Sequence, residues 1–125
     1  MPRFVILEHD HPHLHWDLML EAGAVLRTWR LALPPRAGQD VPAEPLGDHR
    51  PLYLDYEGPV SGGRGQVRRW DWGTYSGTLP DAKRASEPVE LSFHGQRLKG
   101  RAVLICPVSA LGSFHLAAAE SESED

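Results

Sequence analysis

Between residues 8 and 17 the chain reads Glu-His-Asp-His-Pro-His-Leu-His-Trp-Asp and holds four of its seven histidines. Imidazoles and carboxylates at this density suit a divalent metal with mixed nitrogen and oxygen ligands. His15 and Asp17 stand two residues apart, so on a strand they project from one face into the same space. His9 precedes a turn containing Pro12, which can fold it back toward that pair. His11 lies in the turn, and His13 opens the strand where water reaches it. His9, His15 and Asp17 are therefore the candidate ligands. The competing readings of the same residues are solvated surface histidines or an adventitious nickel-type cluster.

The elements needed to position them follow from hydrophobic periodicity. Residues 3–8 form a β-branched and aromatic run, predicted as a buried strand. Residues 13–21 alternate: Leu14, Trp16, Leu18 and Leu20 take one face, and His13, His15, Asp17, Met19 and Glu21 the other. A turn at Ala22-Gly23 and a return strand over 24–33 complete a hairpin. Residues 34–51 contain Pro34, Pro35, Pro42 and Pro45 and are expected to be mostly irregular, a loop long enough to be functional. A strand is expected over 66–75, a second hairpin over 88–107 turning at His94-Gly95, a last strand over 112–119, and a helical turn over 51–56. The expected fold is all-β, a compact antiparallel barrel, because closure leaves no exposed edges.

Composition agrees. The 125 residues are 41% hydrophobic and 24% charged, which predicts one globular domain, here residues 1–119. Eleven prolines and twelve glycines are too many for a helical bundle. The single cysteine excludes a disulfide framework and a four-cysteine zinc site, and Cys106 in its apolar strand is expected to pack as a small hydrophobe. No apolar run reaches the ~18 residues of a membrane span, and no signal peptide is expected, so the expectation is a cytoplasmic protein without a membrane partner. The net charge of −4 comes from an acidic tail, residues 120–125, read as solvated and disordered; without its four acids, thirteen acids balance thirteen lysines and arginines. Any nucleic-acid function must then come from local arrangement and not from bulk charge.

Other chemistry is poorly supported. There is no Gly-x-Ser-x-Gly elbow, and Gly62-Gly63-x-Gly65 lacks the spacing and following helix of a phosphate-cradling loop. Trp70 and Trp72 are expected to share a face and to pack in the core or at the barrel rim.

The ligand segment resembles the 3′-phosphoesterase module of bacterial DNA ligase D, which also exists as free-standing proteins. The pattern His-x5-His-aromatic-Asp reads here His9 to His15-Trp16-Asp17, followed by Leu18-Met19-Leu20-Glu21. The likeness continues in order through Gly23 to Trp29, Asp48-His49-Arg50-Pro51-Leu52-Tyr53, Tyr56-Glu57-Gly58, Trp70-Asp71-x-Gly73-Thr74 and Leu98 to Ile105. These blocks cover about residues 4–118. The resemblance implies a β-barrel that removes 3′-terminal phosphates and ribonucleosides from nucleic-acid ends in DNA repair by non-homologous end joining. It also implies separately encoded ligase or polymerase partners. His9, His15 and Asp17 would hold manganese, with zinc or cobalt as alternatives, and His49 and Tyr53 would contact the scissile phosphate. From the residues alone, His49 reads as a loop histidine in a salt bridge and Tyr53 as half-buried packing.

That chemistry is coherent, since a metal neutralises the charge that makes a phosphate ester a poor electrophile and can activate a water. Protonated His49 would bind a phosphoryl oxygen or assist the leaving oxygen, with a hydrogen bond from Tyr53. One departure stands out. The family places a phosphate-gripping arginine two residues after the aspartate, and here that residue is Met19. A charge-assisted fork worth about 1.5–3 kcal/mol is lost with it, or ~10- to 100-fold in rate if it acts in the transition state. Gly47 stands where the family has an acid, Leu33 where it has a lysine, and the loop 61–65 looks shorter. Arg64, Arg68 or Arg69 could supply the missing cation, the alternative being a solvated strand edge. A catalytically weakened module that binds DNA ends or a repair partner is the competing function, motivated by Met19.

Overall fold

The computed structural model describes residues 1–80, 87–107 and 111–117. Its strands are β1 (Arg3–His9), β2 (His15–Ala22), β3 (Val25–Leu31), β4 (Asp40–Pro45), β5 (Gly58–Pro59), β6 (Gln66–Ser76), β7 (Val89–Gly95), β8 (Lys99–Ile105) and β9 (Gly112–Leu116), with one 3-10 turn at Pro51–Leu54. Neighbours run β1-β2-β3-β4-β9-β8-β7-β6, all antiparallel, and β6 pairs back onto β1. Eight strands thus close an antiparallel barrel, and β5 is an extra strand on β6. Closure pairs edges that would otherwise be open to other chains. No helix among the described residues is long and apolar enough to cross a membrane.

Period-two patterning fills the barrel. Phe4 and Ile6, Leu18 and Leu20, Trp29 and Leu31, Val41 and Ala43, Leu91 and Phe93, Ala102 and Leu104, and Phe114 all point inward into one cluster. Phe93 is its hub, edge-on to Phe4 at 5.0 Å and to Phe114 at 5.8 Å between ring centroids. Cys106 packs in this cluster, as expected.

The outer face of the β1–β2 hairpin is also buried, which differs from the expectation of a polar face. Val5, Leu7, Met19 and Leu26 form a second cluster with Leu54 and Val67, and Tyr53, Tyr56 and Val60 pack against it. The chain between β4 and β6 folds over this face. Leu54 of the 3-10 turn is its buried anchor, and Asp55 beside it accepts from Arg3 at 2.6 Å and sits 3.8 Å from Arg69. A strand buried on both sides explains why residues 4–7 are a continuous apolar run.

Four further expectations are corrected. Residues 40–45 form β4 despite Pro42 and Pro45. Only Trp29 to Leu31 of β3 pair with it, and the Pro42 carbonyl accepts from Ala32 at 3.2 Å where that ladder ends, so the missing proline N–H costs little there. Leu14 precedes β2 and is exposed. Trp70 and Trp72 take different environments, because a bulge lies between the pairs Ile6–Asp71 and Leu7–Arg69. The extra residue, Trp70, packs against the interior while Trp72 is exposed beneath the Arg69 guanidinium at 4.4 Å. The turn after β7 begins at Gly95, one residue beyond the expected position, with its N–H bonded to the Leu98 carbonyl. The predicted helical turn is the Pro51–Leu54 element. The acidic tail, residues 120–125, and the end of the expected last strand, residues 118–119, lie outside the described residues.

Candidate metal centre

Register brings the three candidate ligands together. His9 is the last residue of β1 and pairs directly with His15, the first of β2, so it needs no fold-back through the turn. Residues opposite each other across an antiparallel pair share a face, and Asp17 joins that face two positions on. The result is one ligand-type atom from each of His9, His15 and Asp17 within 4.8 Å of one another, the only such group of three among the described residues.

Each side chain is aimed by a second contact. His15 Nδ1 donates to the His13 carbonyl at 2.8 Å, which leaves the Nε2 lone pair turned to the cluster. His9 Nε2 donates to the Arg64 carbonyl at 2.7 Å, which leaves its Nδ1 lone pair free to act as a ligand. The two rings lie 4.9 Å apart at 65°. Asp17 Oδ2 is 3.3 Å from His15 Nε2, and Asp17 Oδ1 is 3.8 Å from Arg30 Nε. That contact with Asp17 raises the His15 pKa above 6.5, with burial opposing it and the Arg30 charge lowering it less.

The donors fit a cation. His15 Nε2 and Asp17 Oδ1 are buried without a hydrogen-bond partner. Buried polar atoms normally have partners, and an unpaired one costs about 1–3 kcal/mol. Two imidazole nitrogens and one carboxylate oxygen make a site that suits manganese, zinc or cobalt and leaves coordination positions open.

His49 and Tyr53 reach the same place from the covering segment. Leu26 and His49 exchange two backbone hydrogen bonds of 2.8 Å, which pins that segment to β3. His49 Nδ1 donates to the Gly47 carbonyl at 2.9 Å, and its ring meets that of Tyr53 at 5.8 Å and 75°. Tyr53 precedes the Leu54 anchor, so burial of Leu54 sets its position. A cleft of about 230 Å³ is lined by His9, Asp17, Met19, Arg30, His49 and Tyr53, among others.

The other candidates are placed as follows. Arg64 borders the cleft, but its guanidinium donates to Ser61 at 2.7 Å and 3.2 Å. Arg68 is turned away: strand alternation puts it on the opposite face from His9, paired with Glu8 at 3.0 Å. Arg69 donates to the Leu54 carbonyl at 3.5 Å and covers Trp72. His11 and His13 are exposed, and His11 borders the cleft. Met19 is buried in its floor. Sequence reasoning missed Arg30, which the β2–β3 register sets opposite Asp17. The available signal was the hairpin itself, since a two-residue turn at Gly23-Ala24, with Gly23 at φ 63°, fixes every cross-strand partner.

Comparison with known proteins points to one family. The profile of the DNA Ligase D 3′-phosphoesterase domain matches residues 7–106. The multifunctional non-homologous end joining protein LigD of Pseudomonas aeruginosa is 34% identical over 110 residues, covering 82% of this chain. The multifunctional non-homologous end joining DNA repair protein LigD of Mycobacterium tuberculosis is 34% identical over 107 residues, and the multifunctional non-homologous end joining protein LigD of Mycolicibacterium smegmatis 30% over 115, each again covering 82% of this chain. The chain spans only 13–15% of the length of these relatives. Because the family match begins in β1 and ends just past β8, taking in both walls of the cleft, this chain belongs to the DNA ligase D 3′-phosphoesterase domain family.

Proposed function

We propose that the chain is a divalent-metal-dependent 3′-phosphoesterase that clears 3′-phosphates and 3′-ribonucleosides from nucleic-acid ends for end joining. One observation carries the reading: three metal-type donors within 4.8 Å on one wall of a cleft whose other wall presents His49 and Tyr53. Family membership supports the reaction class, and the relatives' names as end joining proteins support DNA ends as substrate. Separately encoded ligase or polymerase components are the proposed partners.

His9, His15 and Asp17 would hold the ion, with manganese the proposed native metal. A divalent cation there draws charge from a phosphate ester and lowers the pKa of a nearby water. His49, held through its Nδ1, presents Nε2 to a phosphoryl or leaving oxygen, and the Tyr53 hydroxyl donates to the same group. The competing role, a weakened end-binding module, rests on Met19, whose thioether is buried among Val5, Leu7 and Leu54 and cannot pair with phosphate.

The test is release of phosphate from a 3′-phosphorylated DNA oligonucleotide, and of the nucleoside from one ending in a single ribonucleotide. Activity should vanish with chelator and return with manganese. Activity that survives His15→Ala would exclude this site, and tight end binding without turnover would favour the weakened module. The loop under His9 gives a subtler check. A Cβ at Gly65, where φ is 75°, would collide with Asp10 Oδ1 and lie 2.8 Å from His11 Cβ. Gly65→Ala should therefore displace the Arg64 carbonyl from His9 and weaken manganese binding by about 10- to 100-fold, read by calorimetric titration.

A further inference from the structure

We propose that Arg30 is the phosphate-gripping cation of this chain, acting from β3 in place of any cation at position 19. The assignment rests on the phosphoesterase reading and deepens it. Asp17 pairs with Arg30 and Met19 with Thr28, so Arg30 is the diagonal cross-strand neighbour of Met19 on the outer face. Diagonal neighbours lie roughly 7–8 Å apart at Cα, within the reach of a long side chain. A guanidinium carried by β3 can therefore serve a phosphate placed above Met19.

The chemistry of Arg30 agrees. Two arginines line the cleft, and Arg64 is committed to Ser61. Arg30 is held more loosely: among the described residues its polar contact is a long ion pair with Asp17 Oδ1 at 3.8 Å, beyond hydrogen-bond distance, and its Nε is buried without a hydrogen-bond partner. The side chain is 38% exposed, so its other nitrogens can meet a ligand. Arg30 also borders a neighbouring hollow of about 340 Å³ lined by Pro12, Leu14, Ala32 and Pro42. It thus stands where the two concavities meet, beside the metal-type donors. An arginine fork in that place can give a phosphate two parallel hydrogen bonds.

Structural and phosphate-binding roles for Arg30 are separable. Manganese and inorganic phosphate are titrated separately into the wild-type protein, Arg30→Ala, Arg30→Lys and the double variant Arg30→Ala/Met19→Arg. Arg30→Ala should weaken phosphate binding about 10- to 100-fold and leave manganese affinity within about threefold. Arg30→Lys should recover part of the loss, and the double variant should recover most of it by returning the cation to the same face. Phosphate affinity unchanged in Arg30→Ala overturns the assignment. So does parallel loss of manganese and phosphate binding, which would make Arg30 a support for Asp17. A wild-type protein that holds phosphate through Arg30 yet hydrolyses no 3′ end would sink the phosphoesterase reading and leave this assignment standing.

Discussion

Asp17→Ala will leave the barrel folded, abolish manganese binding and lower 3′-phosphate release by about a thousandfold or more. Asp17 supplies the one carboxylate of the donor set, and metal stabilisation of a phosphoryl transition state is worth several kcal/mol, with each 1.36 kcal/mol about tenfold in rate. The side chain lies on the outer face, away from the interior cluster, so core packing is untouched. Calorimetric titration and single-turnover assays on the same preparation read both effects. Asp17→Asn separates charge from shape. In the metal-free protein the Asp17 contact raises the His15 pKa above 6.5. The pair's contribution to stability is therefore complete below that value and lost as pH rises through the folded-state pKa. Manganese needs the neutral imidazole, so its affinity in the wild type should rise with pH across the same range. In Asp17→Asn, burial is left to act without the carboxylate, and NMR titration should show His15 releasing its proton at lower pH.

Asp71→Ala will cost about 3–5 kcal/mol of stability, a large part of the roughly 5–15 kcal/mol that holds a domain together. The carboxylate is fully buried and accepts four backbone N–H groups, from Trp72 at 2.9 Å, Gln96 at 2.7 Å, Arg97 at 3.0 Å and Leu98 at 2.7 Å. It replaces the ladder bonds that the bulge in β6 and the turn after β7 cannot make. Alanine would leave those donors without their acceptor, the Leu98 N–H in the interior and the other three partly buried. Gly95→Ala should act on the same unit, since a Cβ there would collide with Asp71 Oδ2 and lie 2.7 Å from the Phe4 ring. Chemical denaturation should show a lower midpoint at unchanged slope, with the metal centre intact below the transition.

Local patterning accounts for what sequence could reveal. Period two in residues 13–21 put His15 and Asp17 on one face, and the β-branched and aromatic run within residues 3–8 announced a buried strand. Those two facts are enough to draw His9 into the cluster once β1 and β2 pair. His49 and Tyr53 were accessible only through family resemblance, because their placement depends on Leu54 docking onto a surface made by distant strands. The β4 strand was hidden by its prolines, whose tolerance depends on where the β3 ladder stops. Burial of Met19 and the approach of Arg30 are likewise non-local. One needs the covering segment and the other the turn that sets register. Trp70 and Trp72 could not be assigned by alternation because the bulge adds a residue between partners.

The most direct measurement is anomalous diffraction from crystals grown with manganese. A single strong peak within bonding distance of His9, His15 and Asp17, facing His49 and Tyr53, is the expected result. A peak held instead by the exposed His11 and His13, or none at this position under saturating manganese, would contradict the account.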